Sequence, residues 1–254
     1  MGSTERQYWD SLGDDFGAVF DVTGSDRGGV LRRAIGRYGK GARVAADYGC
    51  GVGRTLPLLA PRFRRVHALE LAPRLLELAR GRCAPFENVV FHRADLSRSA
   101  AGVGGVELGV CVNVLLSPDR GRRRAVLRTI RRSLAKRSHL VVVVPSLESA
   151  LFTNGRLIEW NRRAGLRGAA LLRESLTPSG RAARDLFVES VLDAGGAPTR
   201  HYLREDAIVT LQDGGFEVAA AHKVEYDWDS QFHRPPRWMG APLPWDWLLV
   251  ARPA

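Results

Sequence analysis

Cysteine, lysine and long apolar runs are all scarce in this chain, and each scarcity excludes something. Only three cysteines occur in 254 residues, Cys50, Cys83 and Cys111. Their number and spacing fit neither a disulfide framework nor a zinc-binding set, and a reducing compartment is the simplest home. The six histidines are scattered with no i, i+4 pairing beside carboxylates, so no metal site is expected. The longest apolar stretch, residues 140–144, falls far short of the roughly 20 residues that cross a bilayer, so no membrane partner is expected. The first ten residues mix acidic, basic and aromatic side chains without the apolar run of a secretory signal, and a cytoplasmic location is expected.

Lysine is confined to Lys40, Lys136 and Lys223, so 35 of the 38 basic residues are arginine. The net charge of +11 invites a nucleic-acid partner, because basic faces bind phosphate backbones by counterion release. A skew this strong toward arginine also follows from base composition alone, and a nucleic-acid partner is disfavoured. The densest basic run, 120–132, carries Val126, Leu127 and Ile130 at helical spacing. That spacing predicts one buried stripe with a solvated arginine face.

What the chain does have is 45% hydrophobic residues, enough for one sizeable core. Between residues 27 and 144, helix-like and strand-like segments alternate, the pattern that builds a parallel sheet covered on both faces. Strands are expected at 44–48, 65–69, 89–91, 108–112 and 139–144, and helices at 30–38, after the glycine cluster, at 73–83 and at 122–134. The rhythm breaks over 146–201, where amphipathic stretches at 151–160 and 182–192 predict helices without an intervening strand. It returns with a helix within 203–216, a strand near 217–225, an irregular Pro- and Trp-rich loop at 227–244 and a closing strand at 245–251. The whole, 1–254, reads as one domain: an N-terminal cap segment (1–29), a core (30–145), a helical lid insertion (146–201) and a C-terminal part of the sheet (202–254).

The chemistry-bearing signal is Asp47-Tyr48-Gly49-Cys50-Gly51-Val52-Gly53, set where a strand turns into a helix. Glycines there let the backbone approach a ligand closely. Three polar residues follow, each just past an apolar strand: Glu70, Asp95 and Asn113. In an open parallel sheet ligands lie outside the carboxyl ends of the strands, so these four places converge on one crevice. The G-x-G-x-G spacing, with Arg54 next, departs from the G-x-G-x-x-G of nicotinamide-dependent dehydrogenases.

On these residues the segment 44–144 resembles the class I S-adenosylmethionine-dependent methyltransferases of the small-molecule type. The resemblance implies an α/β, Rossmann-like three-layer sandwich. Its seven-stranded sheet would be mostly parallel, with an antiparallel last strand and a helical lid insertion after the fifth. S-adenosyl-L-methionine is the implied cofactor. The glycine loop that wraps its methionine part maps onto Asp47, Gly49, Gly51 and Gly53. Glu70 takes the ribose position, Leu71 packs on adenine, and Asp95 with Leu96 fits the adenine contact. Asn113 and Val114 fall where the fourth strand meets cofactor and substrate. Tyr8 resembles the aromatic residues that close over the cofactor in many small-molecule members.

The implied reaction is in-line transfer of a methyl group to an oxygen, nitrogen, sulfur or carbon atom of a small-molecule acceptor. A methyltransferase acting on RNA or protein, and a silent cofactor-binding protein, are the alternatives. No motif identifies the acceptor. By topology the N-terminal segment, the insertion and the 227–244 loop all start at the ligand-bearing edge, which suits a lid that excludes water. Within that lid Trp228 and Asp229 are candidate substrate contacts, and Glu148 and His233 are candidate bases. Cys111, between valines in a strand, reads as core.

Overall fold

The computed structural model describes residues 20–175, 190–193 and 198–254. Its main sheet has seven strands: β1 (Val44–Tyr48), β2 (Arg65–Glu70), β3 (Val89–Arg93), β4 (Val106–Val112), β5 (Leu134–Pro145), β8 (Phe216–Glu225) and β9 (Trp245–Pro253). They lie in the order β3-β2-β1-β4-β5-β9-β8. The first five run parallel, and β9 enters antiparallel to both β5 and β8, so one strand of the seven is reversed.

The sheet is held from both faces because its central strands are apolar on both. Leu140 to Val144 are all buried, and their side chains alternate between two hydrophobic clusters. One cluster joins Tyr48, Cys111 and Val142 to helices α5 (Arg120–Ser133) and α8 (Arg204–Asp213) through Val126, Leu127, Ile130 and Leu211. The other joins Val66, Val110 and Val143 to α2 (Val30–Tyr38), α3 (Leu56–Leu59) and α4 (Pro73–Arg82) through Leu31, Ile35, Leu59 and Leu76. A four-residue turn of helix, α1 (Val22–Ser25), precedes α2.

Two expectations need correction. The 146–201 stretch begins as helices α6 (Leu147–Arg163) and α7 (Gly168–Ser175) but ends as a two-stranded antiparallel pair, β6 (Val191–Asp193) with β7 (Pro198–Arg200). Most of the helix expected over 182–192 lies outside the described residues, and its last two positions are strand. The arginine face of α5 is also not wholly solvated. Arg123 is buried and donates to the carbonyls of Ser117 and Pro118 at 2.6 and 2.7 Å, and the Arg122 side chain is only 19% exposed. Hydrophobic periodicity marks the apolar stripe of a helix but is blind to which long polar side chains beside it fold inward to cap a loop.

Candidate functional site

The carboxyl ends of β1, β2, β3 and β4 share one edge of the sheet, and the chain leaves each of them into a loop that carries a polar residue. After Tyr48 the backbone turns through Gly49 and Gly51, with φ of 76° and 53°, and is tied to β2 by Gly49 N and Cys50 N donating to the Leu69 carbonyl. Gly49 is tightly confined: a Cβ there would come within 2.5 Å of Val114 Cγ2 in the loop after β4. Gly53, at φ 79°, does different work. Its missing side chain lets α4 come close, since a Cβ would meet Ala79 Cβ at 3.1 Å.

Two carboxylates lie behind this loop. Asp47 is fully buried, its Oδ2 has no hydrogen-bond partner among the described residues, and burial, with Glu70 nearby adding to it, pushes its pKa up to about 7. Glu70 is held by backbone: Oε2 accepts from Gly51 N at 2.9 Å, and Oε1 from Leu71 N and Ala72 N at 2.8 and 2.9 Å. The carboxylate thus clips the glycine loop to the start of α4. After β3, Asp95 Oδ1 accepts from Ser97 N and Ser97 Oγ at 3.0 and 2.6 Å. After β4, Asn113 takes a left-handed φ of 53°, which asparagine tolerates better than most residues, and its buried Oδ1 also lacks a partner among the described residues.

These loops line one cleft at that edge of the sheet. Asp47, Gly49, Gly51, Glu70, Leu71, Asp95, Leu96, Asn113 and Val114 all line it. Phe20 to Thr23, within the N-terminal segment expected at this edge, also line it, and sequence reasoning missed the rest of the wall: Arg54, Thr55, Ser97, Leu116, Ser117, Arg122 and Arg123. The first of these groups is a wall added by the segment before α2. Asp21 pairs with Arg54 of the glycine loop at 3.4 Å, and Arg27, just beyond α1, pairs with Asp227 at 2.8 Å.

The opposite wall is stiff because the carbonyls of the β4 exit loop are taken. Leu115 O accepts from Tyr202 Oη at 2.6 Å and Leu116 O from Arg200 N at 2.8 Å. Together with the Arg123 contacts to Ser117 and Pro118, this stitches the end of the insertion to the cleft.

Several expected residues are not brought to the cleft. Gly53 is a packing position rather than a lining one. His233 sits exposed in the 227–244 loop. Glu148 caps structure instead: its carboxylate accepts from Ser146 Oγ, Trp247 Nε1 and Arg204 N, all at 2.9 Å. Burial pushes its carboxyl up, but these hydrogen bonds together outweigh that and leave it below the usual glutamate range, the wrong direction for a base. Trp228 is buried among Phe152, Phe232, Met239 and Leu243 and donates to the Gly240 carbonyl, so its ring serves packing. Asp229 beside it is exposed and does not line the cleft. Tyr8 lies outside the described residues. Among the described residues no three His, Cys, Asp or Glu side chains gather to hold a metal, and no helix is long and apolar enough to cross a membrane.

Two orphaned acceptors in the lining fit an S-adenosyl cofactor. Buried and without partners, Asp47 Oδ2 and Asn113 Oδ1 are acceptors that cost about 1–3 kcal/mol each when left unsatisfied, and both residues line the cleft where an ammonium or hydroxyl would satisfy them.

Residues 45–137 match the family model of a methyltransferase domain. No curated protein matches the chain by sequence at a significant level. Among solved structures it is similar to an S-adenosylmethionine-dependent methyltransferase from Methanosarcina mazei, at 16% identity and TM-score 0.62, covering 87% of this chain and 96% of that one. One from Clostridium acetobutylicum gives 10% identity and TM-score 0.60, over 99% of both chains. The N-methyltransferase NodS from Bradyrhizobium japonicum, solved with S-adenosylhomocysteine, gives 14% identity and TM-score 0.56, over 88% of this chain and 85% of that one. At these identities the likeness is one of fold.

Proposed function

We propose that the chain, whose residues 45–137 match the model of a methyltransferase domain, is a class I S-adenosylmethionine-dependent methyltransferase that methylates an oxygen, nitrogen, sulfur or carbon atom of a small-molecule acceptor. The cofactor, when bound, supplies a methyl carbon activated by positive sulfur. The protein's task is then alignment and exclusion of water, and a base is needed only if the acceptor keeps a proton.

We assign Asp47 and the Gly49–Gly51 turn to the amino-acid end of the cofactor. Glu70 takes the ribose, Leu71, Asp95 and Leu96 the adenine, and Asn113 and Val114 the junction with the acceptor. Asp47 suits its role because a cationic neighbour is what a buried, unpartnered carboxylate lacks. Neither Glu148 nor His233 is retained as a base, and Trp228 and Asp229 are not retained as substrate contacts. We take 1–254 as one domain working in the cytoplasm, a reading supported by its three unpaired cysteines.

The observation that carries the small-molecule reading is the extra wall that the segment before α2 adds to the cleft. Phe20 to Thr23 form one wall of the cleft and are pinned by Asp21–Arg54 on one side and Arg27–Asp227 on the other. A wall placed in this way favours an enclosed acceptor over a macromolecule lying across an open face. The test is incubation with methyl-labelled S-adenosylmethionine and, in separate reactions, pooled small metabolites, RNA and protein. Label should enter the small-molecule pool alone; label in RNA or protein refutes the reading. Calorimetric titration should show binding of S-adenosylhomocysteine and not of NAD.

A further inference from the structure

Arg122 stands at the start of α5, away from the four loops whose polar residues mark the cleft in sequence, yet its guanidinium reaches the lining. Nη1 donates to Ser97 Oγ at 3.1 Å and Nη2 to Asp95 Oδ1 at 3.4 Å. Ser97 Oγ in turn donates to the same Asp95 oxygen at 2.6 Å, and Ser97 N does so at 3.0 Å. The hydroxyl therefore accepts from the arginine and passes its own proton to the carboxylate, closing a triangle in which every donor has an acceptor. Both the Arg122 and Asp95 side chains are 19% exposed, so the triangle is shielded from competing water.

This arrangement treats the two oxygens of Asp95 unequally. Oδ1 is saturated by three donors, while Oδ2 has no partner among the described residues closer than Arg98 Nε at 3.7 Å, on a side chain 81% exposed. Held through Oδ1 in this way, and lining the cleft, the carboxylate keeps Oδ2 as an acceptor for a ligand there. Such a group accepts from an exocyclic amino group and repels a carbonyl oxygen at the same place.

We propose that Arg122 is a positioning residue that sets base specificity: by bracing Asp95 through Ser97 it makes the cleft select an aminopurine over its oxo counterpart. The inference rests on the cofactor site proposed above. It assigns a role to one arginine that neither composition nor the glycine signature marks.

The experiment measures dissociation constants of S-adenosylhomocysteine and its hypoxanthine analogue S-inosylhomocysteine by calorimetry, for the wild type, Arg122→Leu, Arg122→Lys and Ser97→Ala. The wild type should prefer the adenine compound by about tenfold or more, as sites built to pair a polar group discriminate against analogues that lack it. Arg122→Leu should lose most of that ratio, chiefly by weakening the adenine compound. Arg122→Lys should fall between, since one ammonium cannot reproduce the two-point fork. Ser97→Ala keeps the arginine and removes only the bridging hydroxyl, so it should lower the ratio even if Arg122→Leu fails to fold. A purely structural role would weaken both ligands in the same proportion, and an unchanged ratio in the variants overturns the proposal while leaving the cofactor reading intact. A wild type that binds neither compound overturns both.

Discussion

Replacing Gly49 by alanine tests the closest approach in the cleft and can be worked out in advance. The residue has φ 76°, so a Cβ costs about 1–2 kcal/mol from the left-handed backbone alone. The same Cβ would stand 2.5 Å from Val114 Cγ2, well inside contact distance. Valine is stiff about χ1, so relief comes from movement of the β4 exit loop. That loop is held by Tyr202, Arg200 and Arg123 through four carbonyls, so the overlap should cost a further ~1–3 kcal/mol, the usual range for overpacking. The sum, roughly 2–5 kcal/mol, corresponds to a Tm lowered by about 4–20 °C for a chain of this size.

Val114→Ala should remove the overlap but not the backbone strain. The double variant Gly49→Ala/Val114→Ala should therefore recover ~1–3 kcal/mol relative to additivity in a cycle measured by urea unfolding. S-adenosylhomocysteine affinity, read in parallel, should fall at least tenfold for Gly49→Ala. Wild-type stability and affinity in Gly49→Ala, or strict additivity in the cycle, would refute the reasoning.

Three further outcomes are expected. The folded chain holds the Asp47 proton up to about 7, whereas the unfolded chain releases it near the ordinary 3.8, so the folded state binds more protons between those values. Stability contributed by Asp47 therefore falls as pH rises through that window and is constant above it; Asp47→Asn should flatten this slope in denaturant melts taken from pH 4 to 8, and identical slopes would contradict the sign. Glu70→Gln sets an amide group against backbone N–H donors that now meet two carboxylate oxygens. It should weaken S-adenosylhomocysteine by tenfold or more in calorimetry, and unchanged affinity would remove Glu70 from the ribose role. His233→Ala, remote from the lining and exposed, should leave methyl transfer within twofold once an acceptor is in hand; a large loss would return His233 to the site.

The parts legible in sequence are those with short-range causes. Apolar runs such as 140–144 announce buried strands, and Asp47, Glu70, Asp95 and Asn113 announce themselves by following such runs. The N-terminal segment was legible as lying at this edge, but which of its residues form the wall, Phe20 to Thr23, was not, because its attachments are tertiary: Arg27 meets Asp227 two hundred positions later. Arg122 and Arg123 were hidden for another reason. In a run of arginines nothing local distinguishes those that reach inward to carbonyls or to Asp95 from those that face water. The tryptophans invited the opposite error: rings that suit a binding wall suit a core equally, and Trp228 meets Phe152 and Phe232.

The insertion of β9 between β5 and β8 also governs how the polypeptide is made. Leu140 pairs with Gly109 on one flank, but its partner on the other is Ala251, so on the ribosome the 140–144 run of β5 waits with one flank bare while the stretch that will cover it is synthesised. During that interval Val141 to Val144 present an open, uncharged edge of the kind that recruits other chains. The antiparallel strand arrives as a wedge that closes two edges at once, β5 on one side and β8 on the other. A nascent chain stalled before Trp245 would leave both edges open, making it a client for chaperones rather than a smaller working enzyme.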